Sequence, residues 1–187
     1  MSDKQRWPAA IARNVADQLV AELAPRCERI EIAGSLCSGK ADVGDIEILF
    51  VPRIGQVHVP GELFPLRGSL ADELLEQWLA RGIITKRFNI NGGAAWGTLN
   101  KLAVHVGSGI PLDLFATTVE CWFVSLVVRT GSKEMSTTLA GSALQRGMQL
   151  HVYGVLENTK TGEQIIPQSE REVFERLGVP YREPAER

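Results

Sequence analysis

The chain has 187 residues, of which 44% are hydrophobic and 22% are charged, and its formal net charge is −2. This composition is ordinary for a globular protein and excludes disorder of the whole chain. The slightly acidic net charge counts against a strong general nucleic-acid binder, but it does not exclude a local basic patch. The sequence has no run of 18 apolar residues and no N-terminal apolar segment of signal-peptide length, so we expect a cytoplasmic protein with no membrane partner.

The N-terminal part of the chain predicts one helix followed by two strands. Residues 7–24 place apolar side chains at four-residue intervals, which predicts a helix with Pro8 in its first turn. Residues 28–33 and 45–51 have the alternation and composition of strands. Residues 52–68 hold several prolines and glycines and are predicted to form an irregular loop.

The middle of the chain predicts a helix and three further strands. The helix over 69–81 begins with Ser69 as its N-cap. Three strands are predicted at 83–90, 94–106 and 111–117. The segments between them, 91–93 and 107–109, contain glycine and have the composition of hairpin turns.

The pattern changes after residue 118. The apolar segment 119–129 fits a helix or a buried strand by periodicity alone. A break is predicted at 130–132, followed by a helix over 133–146. We then expect a pair of strands at 148–156 and 163–167 and a final helix over 169–178. We therefore expect two lobes, residues 1–118 and residues 119–187.

Three carboxylates are the strongest candidates for a chemical site. Asp45 and Glu47 are two residues apart on one predicted strand, so both side chains project from the same face. Asp113 lies between apolar residues on a later predicted strand, and the three can converge if these strands are neighbours. Converging carboxylates repel one another unless cations lie between them, and Mg²⁺ binds carboxylates, water and phosphates together. Taken alone, however, an Asp-x-Glu pair is more often the solvated face of an antiparallel sheet.

The residues before this pair favour a phosphate site. Gly34 and Ser35 follow a predicted strand and offer backbone N–H groups and a hydroxyl to a phosphate. Gly44, immediately before Asp45, permits a close approach of the backbone. One strand-turn-strand unit therefore combines a phosphate cradle with a face that can bind metal.

Three blocks of this sequence carry a family resemblance. The stretch GSLCSGKADVGDIEIL, residues 34–49, resembles the signature of the polymerase-beta-like nucleotidyltransferases. Thr130-Gly131-Ser132 resembles the turn that opens the nucleotide-binding subdomain of family X DNA polymerases, and the tail 169–187, with its YREP tetrapeptide, resembles their C-terminus. The chain thus resembles a family X DNA polymerase in a minimal form, with a palm over 1–118 and a C-terminal nucleotide-binding thumb over 119–187.

The resemblance implies a fold and a reaction. The implied fold is α+β, with a mixed or antiparallel palm sheet that carries helices on one face, and a small α/β thumb. Asp45, Glu47 and Asp113 are implied to be both the catalytic residues and the ligands of two Mg²⁺ ions about 3.5–4 Å apart, for which Mn²⁺ can substitute. The implied reaction joins a nucleoside triphosphate to a DNA 3′-hydroxyl, in DNA repair, and releases pyrophosphate.

The resemblance also implies binding residues and partners. The residues implied to contact the nucleotide are Gly34, Ser35, Ser38, Gly44, Thr130, Gly131, Ser132 and Ser136. The implied partners are a nucleoside triphosphate and gapped or primed DNA. At a net charge of −2 we expect this DNA binding to be weak and sensitive to salt, and we expect a monomer.

Several positions depart from the family pattern. Neither Cys37 nor Ser38 is basic, although the family places arginine there to offset the charge of the triphosphate. Lys40 lies near but off register, and Arg129 is either a substitute cation or a solvated surface residue. Ser136 stands where the family has an asparagine against the base. These departures predict a slow or inactive enzyme that Ser38→Arg would activate.

Two other functions stay open at this point. The first is a nucleotidyltransferase with another acceptor, such as RNA, a protein or a small molecule. The second is a catalytically impaired relative that still binds a nucleotide. The C-terminal tail favours DNA as the acceptor, whereas the missing arginines favour the impaired relative.

Overall fold

The computed structural model of the protein describes residues 5–88 and 92–187. Within these ranges the chain has an α+β fold, as the sequence predicts. Its helices are α1 (Ala9–Leu23), α2 (Leu70–Ala80), α3 (Trp122–Thr130), α4 (Lys133–Gln145) and α5 (Glu170–Leu177). Its strands are β1 (Trp7–Pro8), β2 (Cys27–Ala33), β3 (Asp42–Val43), β4 (Ile46–Pro52), β5 (Ile54–Val57), β6 (Leu66–Ser69), β7 (Ile84–Lys86), β8 (Asn100–His105), β9 (Pro111–Ala116), β10 (Met148–Leu150), β11 (Leu156–Asn158) and β12 (Gln164–Ile165).

A five-stranded mixed sheet forms the centre of the first lobe. Its strand order is β2-β4-β9-β8-β7, in which β4 and β9 run parallel and all other neighbours run antiparallel. The parallel pair places Glu47 directly beside Asp113. Because side chains alternate along a strand, these two partners project from the same face. The strands that carry the candidate carboxylates are therefore neighbours.

The two faces of this sheet are covered by different helices. On one face, α1 and α2 pack against a core that includes Ile46 and Ile48. On the opposite face, α3 packs through Trp122 against Leu49 and Phe115. The sequence predicts helices on one face alone. The apolar side of α3 explains the difference, because it gives the second face a helix of its own.

A separate core holds the second lobe together. Helices α4 and α5 and the antiparallel sheet β10-β11-β12 surround buried residues that include Leu139, Phe174 and Leu177. Helix α3 serves both lobes, since Val127 faces this second core while Leu126 faces the first sheet. In the part of the chain that the structure describes, no helix is both long and apolar enough to cross a membrane.

The segment 52–68 is more regular than the predicted loop. It contains strands β5 and β6, which pair as an antiparallel hairpin. Gly55 and Gly68 face each other across this hairpin. A Cβ atom on Gly68 would lie 2.7 Å from Val57, and one on Gly55 would lie 3.0 Å from Leu70. These glycines therefore allow close packing of the hairpin and its fit against α2, whereas sequence composition treats glycine as a breaker.

Other element boundaries also shift. The sequence predicts that the first helix starts at residue 7 and has Pro8 in its first turn. In the structure Pro8 is the N-cap of α1 and pairs with β3, so it lies just before the helix. The strand predicted over 94–106 is shortened to β8, and residues 122–129 of the ambiguous segment 119–129 are helical, as part of α3. The predicted turn at 91–93 and the end of the strand predicted over 83–90 lie partly outside the described residues.

Candidate active site

The three candidate carboxylates lie together on one face of the sheet. Asp45 immediately precedes β4, Glu47 is the second residue of that strand, and Asp113 is its register partner on β9. Asp45 and Asp113 both raise the pKa of Glu47, so the three groups are close enough to interact. Leu49 and Phe115, two residues further along each strand, contact α3. By alternation, the carboxylates therefore face the side of the sheet that α3 covers.

Glu47 is strongly perturbed. Burial, followed by the charges of Asp45 and Asp113, raises the pKa of Glu47 to about 7, while Arg129 acts in the opposite direction. Burial also raises the pKa of Asp113, against the lowering effect of Arg87. The site therefore has an excess of buried negative charge, which is the condition that a divalent cation relieves.

An arginine already occupies part of this site. Arg87 Nη2 donates a hydrogen bond to Asp113 Oδ1 at 2.5 Å. Among the described residues, no group of three or more His, Cys, Asp or Glu side chains could hold a metal ion as the side chains stand. The donor chemistry therefore fits Mg²⁺, but the three carboxylates are not assembled around one point in this conformation.

A cleft of about 190 Å³ adjoins Glu47 and lies between the two lobes. Its walls come from the turn after β2, from β4, from the junction of α3 with α4, and from the tail. The residues that line it are Gly34, Ser35, Ser38, Lys40, Glu47, Arg129, Thr130, Gly131, Ser132 and Arg187. Six of the eight nucleotide-contact residues that the sequence predicts therefore share one cleft with a predicted metal ligand.

The turn after β2 forms the first wall of this cleft. Gly34 has a φ of +66°, and a Cβ atom built there would lie only 2.6 Å from Glu47 Oε1. The hydroxyl of Ser35 is buried and has no hydrogen-bond partner among the described residues. Buried hydroxyls are normally paired, so this orphaned Oγ favours an absent polar ligand beside Glu47.

The junction of α3 and α4 forms a second wall. Thr130 ends α3, and Ser132 is the N-cap of α4, where its side chain accepts a hydrogen bond from Met135 N. A Cβ atom on Gly131 would lie 3.1 Å from Val127 O, so the tight turn between the helices favours glycine. The N-terminus of α4 therefore opens at the cleft, where its free N–H groups and its dipole favour an anion.

Three cations line the cleft, and the sequence prediction includes none of them as a binding residue. Lys40 belongs to the turn after β2, and Arg129 belongs to α3. Arg129 is half-buried, stacks over the Phe115 ring at 3.5 Å and donates to Val152 O at 3.1 Å, so it is not a freely solvated side chain. The Arg187 side chain is fully buried, and its Nη1 donates to both Thr130 and Glu170, while its Nη2 is buried without a partner in the described part of the chain.

Comparison with known proteins agrees with the resemblance in the sequence. Residues 125–187 match the family described as the DNA polymerase beta thumb. DNA polymerase lambda of Rattus norvegicus is 29% identical to the chain over 169 residues. These two matches show that the chain is similar to a fragment of a family X DNA polymerase. The match covers 82% of this chain and 28% of DNA polymerase lambda, so the chain spans about a quarter of that relative's length.

Two residues that the family X resemblance assigns to the nucleotide do not line the cleft. Gly44 has open space around its Cα, with nothing within 4 Å of a built Cβ atom. Ser136 lies one turn into α4 and lines a smaller cavity with Val128 and His151. The structure therefore places neither residue in the wall of this cleft.

The two positions that lack the arginines of family X also differ from each other. Ser38 lines the cleft, and its hydroxyl donates to Ser35 O at 2.8 Å. Cys37 instead directs its Sγ to Ile32 O at 3.1 Å and does not line the cleft. Burial raises the pKa of the Cys37 thiol. Of the two positions, Ser38 is thus the one from which a longer side chain reaches the cleft.

Substitution of Gly34 tests whether the turn and Glu47 form one site. Gly34→Ala should cost about 1–2 kcal/mol of stability because of its positive φ, and its new Cβ atom should displace the Glu47 carboxylate. Gly39→Ala is a matched control, since Gly39 has a φ of +65° in the same loop but no neighbour within 4 Å of a built Cβ atom. Both variants should melt at lower temperature, and only Gly34→Ala should lose Mn²⁺-dependent binding of a triphosphate. Equal binding by the two variants would separate the turn from the carboxylate site.

Proposed function

We propose that the chain transfers a nucleotide from a nucleoside triphosphate to the 3′-hydroxyl of a DNA strand. In this reaction the 3′-oxygen forms a bond to the α-phosphorus, the bond from that phosphorus to the β-phosphate oxygen breaks, and pyrophosphate leaves. One observation carries the proposal. The cleft joins the turn at Gly34–Ser35, the Thr130–Ser132 junction and Glu47, and Asp113 is the register partner of Glu47.

Divalent cations belong to this proposal. Asp45, Glu47 and Asp113 offer hard carboxylate oxygens and an excess of negative charge, which suit Mg²⁺ or Mn²⁺. Two such ions, when bound, stabilise the charge on the attacking and leaving oxygens of phosphoryl transfer. Glu47 and Asp113 would hold them on the sheet side of the cleft, and the missing Cβ of Gly34 leaves room beside Glu47.

The remaining cleft residues bind and orient the triphosphate. The orphaned Ser35 Oγ and the N-terminus of α4 supply neutral hydrogen-bond donors to phosphate oxygens. Lys40 and Arg129, which both line the cleft, supply positive charge. Catalysis of phosphoryl transfer depends largely on such positioning and charge stabilisation, so these contacts lower the barrier as well as the dissociation constant.

The proposal also assigns the two lobes. Residues 1–118 would be a nucleotidyltransferase palm and residues 119–187 a thumb, which the separate core of the second lobe and the thumb match over 125–187 support. The related rat protein is named as a DNA polymerase, which supports DNA as the acceptor. The net charge of −2 predicts that the chain holds DNA weakly and that salt weakens it further.

Two observations favour a second candidate function. The Arg87–Asp113 ion pair keeps a proposed metal ligand engaged, and no arginine stands at Cys37 or Ser38. A relative that binds a nucleotide but transfers it poorly would have these features. This impaired form shares the cleft and its binding residues with the first candidate, so the two differ only in turnover.

An acceptor panel tests the proposed function. The protein is mixed with α-labelled deoxynucleotides, Mg²⁺ or Mn²⁺, and one of three acceptors: primed DNA, single-gap DNA or single-stranded RNA. We expect label in the DNA acceptors, more with low salt, and none when the metal is chelated. Labelling of RNA alone would show that the acceptor is wrong. Binding of the triphosphate without labelling of any acceptor would favour the impaired relative.

A further inference from the structure

The contact between Arg87 and Asp113 spans three strands of the sheet. Arg87 follows β7, and its backbone N–H donates to Leu102 O on β8 at 2.9 Å. Leu102 is in turn the register partner of Asp113 on β9. The Arg87 side chain therefore crosses β8 to reach Asp113 Oδ1, where Nη2 donates at 2.5 Å. The position of the Arg87 backbone is thus fixed by two strands and by its hydrogen bond to Leu102 O.

The charge of Arg87 acts on Asp113, which interacts with Asp45 and Glu47; of these three carboxylates Glu47 lines the cleft, and Asp45 and Asp113 do not. A guanidinium is always protonated and carries only donors, so it can bond a carboxylate but can hold no metal ion itself. Arg87 and Asp113 are 29% and 19% exposed, which leaves the arginine a route to solvent. A divalent cation on Asp113 would meet a fixed positive charge at hydrogen-bond distance from the same carboxylate.

We propose that Arg87 is a resident counter-ion of Asp113 that competes with divalent metal for this carboxylate. In the metal-free protein Arg87 offsets part of the charge of Asp113 and so reduces the repulsion among the buried carboxylates. Metal binding then requires Arg87 to move away, so the affinity for metal is lower than three free carboxylates would give. This inference rests on the proposed function, because it takes Asp113 to be a metal ligand. Arg87 is thus a positioning residue that sets the metal concentration at which the site is complete.

Direct measurement of metal binding tests this competition. Mn²⁺ is titrated into the wild-type protein, Arg87→Gln, Arg87→Lys and Lys86→Gln, and free Mn²⁺ is followed by electron paramagnetic resonance. Arg87→Gln should bind Mn²⁺ about ten- to a hundredfold more tightly, since it removes a charge-assisted hydrogen bond that the metal must otherwise break. Arg87→Lys should lie between Arg87→Gln and the wild type. Lys86→Gln removes a neighbouring charge that stacks over Trp96 at 5.0 Å, and it should change the affinity by less than about threefold.

Thermal unfolding supplies a second readout for the same proteins. Without metal, Arg87→Gln should melt below the wild type, because Asp113 loses its partner. Saturating Mn²⁺ should reverse that order, since the metal replaces the lost positive charge. Equal Mn²⁺ affinity in the wild type and Arg87→Gln, with both affinities lost on Asp113→Asn, would overturn the competition and leave the proposed function standing. Failure of Mn²⁺ to bind to any of these proteins would overturn both.

Discussion

Asp113→Asn is expected to reduce nucleotide transfer by roughly a thousandfold while the protein stays folded. The change removes a negative charge from the proposed metal site but keeps an Oδ1 acceptor for Arg87, so no buried donor loses its partner. An alanine at this position would leave the half-buried Arg87 unpaired and would mix a stability effect with the catalytic one. The measurement is single-turnover incorporation of a labelled deoxynucleotide into primed DNA.

A matched aspartate provides the control for this variant. Asp72 on α2 pairs with the buried Lys101 at 2.9 Å, so Asp72→Asn also weakens a partly buried ion pair. Asp72 lies on α2, which covers the sheet face opposite the three carboxylates, so its loss should lower the melting temperature without a comparable loss of transfer. Wild-type rates in Asp113→Asn, or equal losses in both variants, would show that Asp113 is not a metal ligand.

Arg129→Gln is expected to weaken binding of the triphosphate by about tenfold to a hundredfold. Arg129 lines the cleft, and its charge acts on both Glu47 and Asp113. Glutamine keeps an N–H donor for Val152 O but loses the charge and the stacking over Phe115. Calorimetric titration with a non-hydrolysable triphosphate in the presence of Mn²⁺ measures the change.

Rescue tests whether Arg129 replaces the missing family arginines. If it does, Ser38→Arg should restore binding to Arg129→Gln, because Ser38 lines the same cleft. Cys37→Arg should not, because the Cys37 side chain is directed to the backbone of β2. Arg29→Gln is the matched control, since Arg29 stacks on Phe123 at 5.4 Å at the lobe junction without lining the cleft. Undiminished binding in Arg129→Gln would assign the charge to Lys40 or to Arg187.

The sequence predicts much of this fold because local patterns settle most of its elements. Ser69, Ser132 and Ser169 each cap the helix that follows them, since each side chain accepts a bond from the N–H three residues on. The hairpin over 52–68 escapes such prediction because its glycines serve contacts with Val57 and Leu70 that only the folded chain creates. Sequence propensity treats glycine as a strand breaker whether or not it allows such close packing.

Some residues of the candidate site are also predictable from local patterns, and others are not. Asp45, Glu47 and Asp113 are predictable because alternation fixes a common face, and the parallel pairing of β4 with β9 then brings them together. Arg87 and Arg187 carry no comparable signal, since the first acts across two strands and the second acts on Thr130, 57 residues earlier in the chain. Their roles depend on long-range register and on the return of the tail to the lobe junction.

The most direct test of a metal-dependent nucleotide site is to locate the metal ions themselves. Crystals of the protein with Mn²⁺ and a non-hydrolysable nucleoside triphosphate would be measured at the manganese absorption edge. We predict two anomalous peaks beside Asp45, Glu47 and Asp113, with the triphosphate between Ser35 and the Thr130–Ser132 junction. A triphosphate bound in this cleft with no peak beside the three carboxylates, or peaks bound elsewhere on the protein, would contradict the account.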